Sequence, residues 1–398
     1  MQVIQAVNGV FHHFDLAREL NARGMLGRIY STFPWTRLKR EGVPRSLVKS
    51  FPWAHAPQHF VARYWHIPAR LDRYISYTNF RVFDEWIAKT MAPCDAYVAL
   101  SSSGTKSGPR AQSLGAKYVC DRGSSHVRYQ NQIVGEEYRR WGISRTVCDP
   151  RIIAREEQEY AQSDAISVPS EFVRRSFLEM GVPAEKIIKV PYGVQLERFR
   201  RIGEPAKDRF EVLFTGTLSF RKGVPYLLEA FRMLRHPAKR LRLVGPVPEE
   251  IRPWLATQNL EHVEILGRMP QPRLLEFMST SHVMVLPSIE EGLAMVQGQA
   301  LACGCPLISS MNTGGEDLFS DGVEGFLVPI RSAAAIAERL EQIAGDPVLQ
   351  QRMSEAALAR VKHLGGWADY GSRYVRFLQE LTGKTDPAEA ANLLAHEA

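Results

Sequence analysis

Long apolar runs are missing from this sequence: nothing in its 398 residues approaches the ~20 consecutive apolar positions that span a bilayer. The opening MQVIQAVNGVFHHFDLAREL also lacks the charged-then-apolar order of a secretory leader, so the chain is expected to stay in the cytoplasm. Cysteine is scarce. Cys94, Cys120, Cys148, Cys303 and Cys305 are odd in number and scattered, which argues against a disulfide framework. Cys303 and Cys305 flank a single glycine, too tight a spacing for a zinc knuckle, and the five read as buried, unreactive thiols. Low-complexity and collagen-like stretches are absent too. With 45% hydrophobic and 23% charged residues, the composition is that of a soluble globular protein. The length exceeds what one core usually fills, so two domains are expected.

Acidic residues are nearly missing from one segment. Between Trp35 and Arg81 lie nine Lys/Arg (Arg37, Lys39, Arg40, Arg45, Lys49, Arg63, Arg70, Arg73, Arg81) against Glu41 and Asp72. The excess of seven equals the net charge of the whole chain, +7. Aromatics are interleaved: Trp35, Phe51, Trp53, Phe60, Tyr64, Trp65, Tyr74, Tyr77 and Phe80. Such a stretch suits an anionic membrane surface or a phosphorylated acceptor, or is a solvated helical face with its aromatics in the core. Nucleic acid is not expected, because no recognisable nucleic-acid module accompanies the charge.

Strands are expected at Val3–Val7, Ala96–Leu100, Lys117–Cys120, Ala165–Pro169 and Ile187–Val190, alternating with helical periodicity such as Phe14–Ala22, closed by Gly24. Alternation of this kind makes a parallel sheet covered on both faces. The polar, Gly- and Pro-punctuated RRIGEPAKDRF (Arg200–Phe210) reads as a linker, after which the pattern restarts with EVLFTGTL and VPYLLEAFRML. The expected layout is a first domain over 1–200, a second over 201–365, a helix over 366–383 packing back toward the first domain, and a frayed tail over 384–398. Two doubly wound α/β domains then face each other across a cleft, the place where such sheets hold ligands.

Four ordered segments span about 140 residues: VPYGVQLERF (Val190–Phe199), FTGTLSFRKGVPYLLEAF (Phe214–Phe231), VLPSIEEGLAMVQGQALACGCPLISS (Val285–Ser310) and GGEDLFSDGVEGFLVP (Gly314–Pro329). Together they resemble the retaining, nucleotide-sugar-dependent glycosyltransferases of family 4, which have the two-domain GT-B fold. The first half matches mainly by layout. The resemblance implies an enzyme that moves a sugar from a nucleoside diphosphate sugar to a hydroxyl of a carbohydrate or lipid-linked acceptor. It implies retention of anomeric configuration, with no cofactor and no metal. Bacterial polysaccharide or glycolipid assembly is the setting it implies, with possible attachment to the inner face of the plasma membrane through the basic segment.

Residue chemistry fits that resemblance in places. Arg221 and Lys222 stand in a loop after a strand and before a helix, where cations and helix-start N–H groups can clamp a diphosphate. Gly216, closing the strand before them, is expected on the donor side; the family's following arginine is replaced by Thr217. The resemblance gives Glu291 the hydroxyls of the donor sugar and assigns the ribose to the position eight residues on. That position holds Gln299, which keeps an acceptor oxygen but loses the charge. Gly292, Leu293 and Ala294 are expected to open a helix with unpaired N–H groups. Gly9 allows a close backbone approach to the donor, while His12 and His13 receive no role.

CDRGSSHVRYQ (Cys120–Gln130) crowds polar residues into one loop. From the resemblance, His126 lies near the transferring sugar, and Asp121, Arg122 and Arg128 are acceptor-binding candidates; the plain alternative is a self-stabilising polar loop. Catalysis is then expected from His126, Glu291, Arg221 and Lys222, with attack on the leaving-group face and no base required from the protein. A partner subunit that binds a nucleotide sugar without transferring it, and a GT-B epimerase, remain the alternatives.

Overall fold

The computed structural model describes residues 1–53, 57–58 and 67–384. Phe60, Arg63, Tyr64 and Trp65 of the basic segment, and tail residues 385–398, lie outside the described residues. Seven strands form the first sheet: β1 (Val3–Val7), β2 (Leu26–Ser31), β3 (Val48–Ser50), β4 (Ala96–Leu100), β5 (Lys117–Asp121), β6 (Ala165–Val168) and β7 (Ile187–Lys189). All are parallel, in the order β3-β2-β1-β4-β5-β6-β7. β1 and β6 are buried along their whole length, as strands covered on both faces must be. Helices α1 (His13–Ala22), α2 (Ala69–Thr90), α3 (Val127–Arg140) and α4 (Pro150–Gln162) pack on this sheet or join its strands. β2 and β3 escape sequence reading. Gly27 and Arg28 break the apolar pattern of the first, and the second has only three residues.

The second sheet comprises β8 (Phe210–Thr215), β9 (Lys239–Val244), β10 (Val263–Gly267), β11 (Val283–Leu286), β12 (Leu307–Ser310) and β13 (Gly325–Val328). It is parallel, in the order β10-β9-β8-β11-β12-β13. α5 (Val224–Met233) follows β8, and α6 (Met295–Ala302) lies between β11 and β12. In each sheet the strand order reverses once, between β1 and β4 and between β8 and β11. Loops diverge at such a point and leave a crevice. The loop after β8 carries Arg221 and Lys222, and the loop after β11 carries Glu290 and Glu291.

The chain passes between the domains twice. A Cβ on Gly193 would stand 2.4 Å from the Gly366 carbonyl oxygen, so the two passages touch backbone to backbone. Helix α7 (Trp367–Thr382) then packs on α1 and the first sheet through buried Tyr370, Tyr374, Phe377 and Leu378. The Tyr374 hydroxyl lies 2.9 Å from Ser167 Oγ on β6, and Arg23 donates to Ser372 Oγ at 2.9 Å.

The basic segment divides. Phe51 stacks on Trp86 with centroids 4.7 Å apart, inside the first domain's core. Tyr77 and Tyr74 lie under the Arg151 guanidinium, and Arg45 covers Trp35. Trp53 remains exposed, as do Leu71 and Tyr74, which neighbour Arg70 and Arg73 in sequence. Among the described residues no helix is long and apolar enough to cross a membrane.

Candidate functional site

The loop after β8 tightens through a turn in which Gly223 N–H donates to the Phe220 carbonyl and Lys222 N–H to Ser219 Oγ. It is tied to the loop after β11, because Ile289 N–H donates to the Arg221 carbonyl at 2.8 Å. Asn312 secures the second loop from below: its Nδ2 donates to the Ile289 carbonyl, and its own carbonyl accepts from Glu291 N–H, each at 2.9 Å. Two cations and two carboxylates are thereby fixed side by side. Arg221 Nη2 lies 2.8 Å from Glu290 Oε2, and Lys222 Nζ pairs with Glu291 Oε1, which also accepts from Ser288 Oγ. The two cations border a cavity of about 440 Å³ between the domains, lined by Arg221, Lys222, Thr217 and Ser219 on one side and Gln130 and Tyr138 on the other.

Glu290 joins the two domains, and sequence reading assigned it no part. It is fully buried and accepts from Ser125 N–H (3.1 Å), Ser125 Oγ (2.8 Å) and Gln130 Nε2 (3.0 Å), all in the first domain. Burial pushes its carboxyl up, but Arg221 and these hydrogen bonds more than offset that and hold it below the usual carboxylate range. The doubled glutamate was the one available signal, and no local pattern says that a carboxylate will reach another domain. Nearby, Gly292 lies so close to the first domain that a Cβ there would fall 1.7 Å from the Gly123 carbonyl oxygen. Ser170 Oγ closes the same contact by donating to the Gly292 carbonyl at 2.6 Å.

Helix α6 starts at Met295, later than expected, and Ala294 N–H is taken by the Thr313 carbonyl at 3.2 Å. Among the described residues, Gly292 and Leu293 N–H donate to no protein group, so two of the three expected donors stand open. Gln299 is half-buried on α6 and makes no side-chain hydrogen bond among the described residues. Gly216 backs onto Gly245, where a Cβ would meet the Gly216 carbonyl oxygen at 1.8 Å. Gly9 lies two residues past β1, and its carbonyl accepts Ser31 Oγ at 2.6 Å.

The polar loop after β5 departs most from expectation. His126 caps α3, its Nδ1 accepting from Arg128 N–H at 3.2 Å, and its ring lies 5.0 Å from both Tyr160 and Phe177. That ring is in the first domain's core, not in the cleft, which removes His126 from the catalytic set. Arg122 is buried against Glu156 at 2.8 Å and also donates to Gln130 Oε1. Arg128 pairs with Glu157 on the outer surface. Both guanidinium groups are thus paired with carboxylates of α4. Asp121 is buried, with Oδ1 accepting from Ser167 Oγ and Oδ2 standing 2.5 Å from His12 Nε2 and 3.5 Å from His13 Nε2. The donor atoms of His12, His13 and Asp121 lie within 4.8 Å of one another, a set that could also take a divalent ion.

Burial pushes His126 down to about 4 and His282 likewise to about 4. Both are neutral in the fold, whereas in the unfolded chain they take a proton below about pH 6.5. The stability they protect is complete above pH 6.5 and is lost as pH falls toward 4, by about 1.4 kcal/mol per pH unit for each histidine. Melting temperatures should be level from pH 7 to 8 and decline toward pH 5, with a shallower decline in H126Q; an unchanged slope in that variant would rule His126 out as a cause.

Residues 196–360 match the family described as glycosyl transferases group 1. The amylovoran biosynthesis glycosyltransferase AmsK of Erwinia amylovora is 26% identical over 204 residues, 48% of this chain and 50% of that protein. The chain spans about half the length of the first curated relatives it matches. Among solved structures, the sucrose-phosphate synthase of Thermosynechococcus elongatus superimposes with a TM-score of 0.70 at 19% identity, over 97% of this chain and 100% of that one. HepE of Anabaena in complex with UDP-glucose gives 0.66 at 14% identity, over 96% and 100%. The second half of this chain is thus similar to the group 1 glycosyltransferases, in a chain with the two-domain GT-B fold.

Proposed function

We propose that the protein is a glycosyltransferase that moves a sugar from a nucleoside diphosphate sugar to a hydroxyl acceptor, with retention of configuration and without a metal, in bacterial polysaccharide or glycolipid assembly. The observation that carries this reading is the double pairing of Arg221 with Glu290 and Lys222 with Glu291 on the cavity between the domains. Cations already held beside carboxylates can turn to a diphosphate at little cost in reorganisation, while Glu291 receives sugar hydroxyls. The open N–H groups of Gly292 and Leu293 add donors beside them. HepE, of like fold, was solved with UDP-glucose, which supports this class of donor. Gln299 is the residue facing the ribose, a neutral hydrogen bond in place of a charged one.

A thermal-shift panel of nucleoside diphosphates and their sugars tests the donor site. A ligand at a hundred times its Kd adds about 2.7 kcal/mol, and the melting point should rise with one base and not with the others. If none raises it, the donor reading is wrong. The donor so found is incubated with candidate acceptors, and the anomeric configuration of the product is read by NMR. Binding without release of nucleoside diphosphate would make the chain a partner subunit, and acceptor-independent conversion of the donor would make it an epimerase. An anionic membrane surface belongs to the same proposal through Trp53, Leu71, Tyr74 and the neighbouring arginines; flotation with acidic liposomes at low salt checks it.

A further inference from the structure

The loop between α3 and α4 reaches the cavity beside Arg221 and Lys222 and carries a third cation there, Arg145. Its guanidinium lies over the ring of Tyr138, 5.0 Å from the centroid, with Nη1 3.2 Å from the Tyr138 hydroxyl. It also pairs with Glu250, which follows β9 in the second domain and accepts from the Tyr138 hydroxyl at 2.9 Å. Tyr138 in turn packs on Phe220, the residue before Arg221, with ring centroids 6.3 Å apart. Arg145 belongs to the first domain, yet it stands on the wall of the cavity that the second domain's cations border.

Two roles compete for it: a tie between the domains, or a cation for the donor. The tie is made elsewhere. Glu137 of α3, fully buried, accepts from the Tyr226 hydroxyl of α5 at 2.8 Å and from Arg331 Nε at 2.7 Å, both in the second domain. The Arg145–Glu250 pair is more open, with side chains 47% and 20% exposed, and a pair so placed contributes little to stability. Charge favours the second role. Among the described residues that line the cavity, Arg145, Arg221 and Lys222 meet a single carboxylate, Glu250. Thr217, just past β8 on the same wall, adds no charge. Arg221 and Lys222 already have Glu290 and Glu291 beside them, whereas a diphosphate is negative on both phosphates and gains charge as the sugar leaves. A guanidinium is a planar fork that fits phosphate oxygens, and one stacked on a tyrosine ring is oriented before the ligand arrives.

We propose that Arg145 reaches across from the first domain to the donor diphosphate and is a catalytic residue of the transfer. The proposal rests on the transfer reading above. Arg145 turns from Glu250 to the phosphate oxygens, and its N–H groups stabilise the electron pair that the diphosphate keeps when its bond to the anomeric carbon breaks. Arg145 itself forms and breaks no covalent bond and moves no proton. The cations are thus drawn from both domains, and the set is complete only while the domains stand together as in this structure. A donor held by the second domain alone lacks one of them.

The test uses the full chain with the nucleoside diphosphate and the donor that give the largest thermal shifts, and the acceptor that supports turnover. R145M should lower kcat by about 10²- to 10³-fold, the usual cost of one preorganised donor, while melting close to the wild type. By calorimetry, R145M should weaken binding of the nucleoside diphosphate and leave that of the matching nucleoside unchanged. R145K, which keeps a charge and loses the fork, should recover part of the rate. E250Q breaks the same pair and keeps the guanidinium, so it should lose far less than R145M. About a third or more of the wild-type kcat in R145M, or unaltered diphosphate binding, would overturn the role of Arg145 and leave the transfer reading intact. A loss in E250Q equal to that in R145M would do the same, giving the effect to a tie between the domains. No thermal shift with any nucleoside diphosphate, and no transfer by the wild-type protein, would overturn both readings together.

Discussion

Lys222→Met is expected to stop sugar transfer in a protein that remains folded. The ammonium sits on the cavity between the domains, paired with Glu291, and its side chain is 20% exposed. Partly exposed pairs contribute about 1 kcal/mol or less to stability, so the variant should melt close to the wild type. Its electrostatic contribution to a departing diphosphate is larger, because charge grows there in a groove largely shielded from water. Removing one such preorganised donor typically costs about 10²- to 10³-fold in kcat. Methionine keeps the length of the side chain and removes only the charge. Release of nucleoside diphosphate, followed with the best donor, measures the effect. A variant retaining a third or more of the wild-type rate would mean that the phosphates lie elsewhere. Arg221 is a less clean probe, since its loss also removes the charge partner of buried Glu290.

Asp84→Ala is expected to produce the largest loss of stability. Asp84 is fully buried on α2 and pairs with Arg155 of α4, whose side chain is 6% exposed. It also accepts from Lys106 N–H (2.8 Å), Ser107 N–H (2.9 Å) and Ser107 Oγ (2.6 Å). The loop so held, SSSGTKS (Ser101–Ser107), wraps the neighbouring Glu159, which accepts from Ser102 N–H, Gly104 N–H and Thr105 Oγ1. A Gly- and Ser-rich loop of this kind suggests phosphate binding, but here the chain's own carboxylate fills the backbone donors. Truncating Asp84 leaves the buried guanidinium only Glu159 at 3.6 Å and the Ser102 carbonyl, and takes the acceptor from three donors; breaking such a buried pair costs about 3–5 kcal/mol. The urea midpoint should fall accordingly, and a change below about 1 kcal/mol would show that Arg155 and the loop find other partners. D84N, which keeps one acceptor oxygen, should fall between the two.

The effect should extend to the cleft. Arg155 donates to the Ser102 carbonyl, Ser102 Oγ to Glu156, Arg122 pairs with Glu156 and donates to Gln130, and Gln130 donates to Glu290. One polar chain thus runs from the interior of the first domain to the carboxylate that holds Arg221.

The sequence by itself determined the alternation of strands and helices, the restart after Arg200–Phe210 and the placing of Arg221, Lys222 and Glu291 in loops at strand ends. These are local properties: apolar runs, helical periodicity and glycine punctuation act over ten or twenty residues. Only the tertiary structure decided what those loops face. It placed Glu290 against Ser125 and Gln130, 165 and 160 residues away in the chain. It turned His126 into the core between Tyr160 and Phe177, and it brought His12 to Asp121 across 109 residues. The reason is physical: a buried polar side chain must find its partner wherever packing supplies one, and packing is settled by the whole sheet, not by neighbours in sequence.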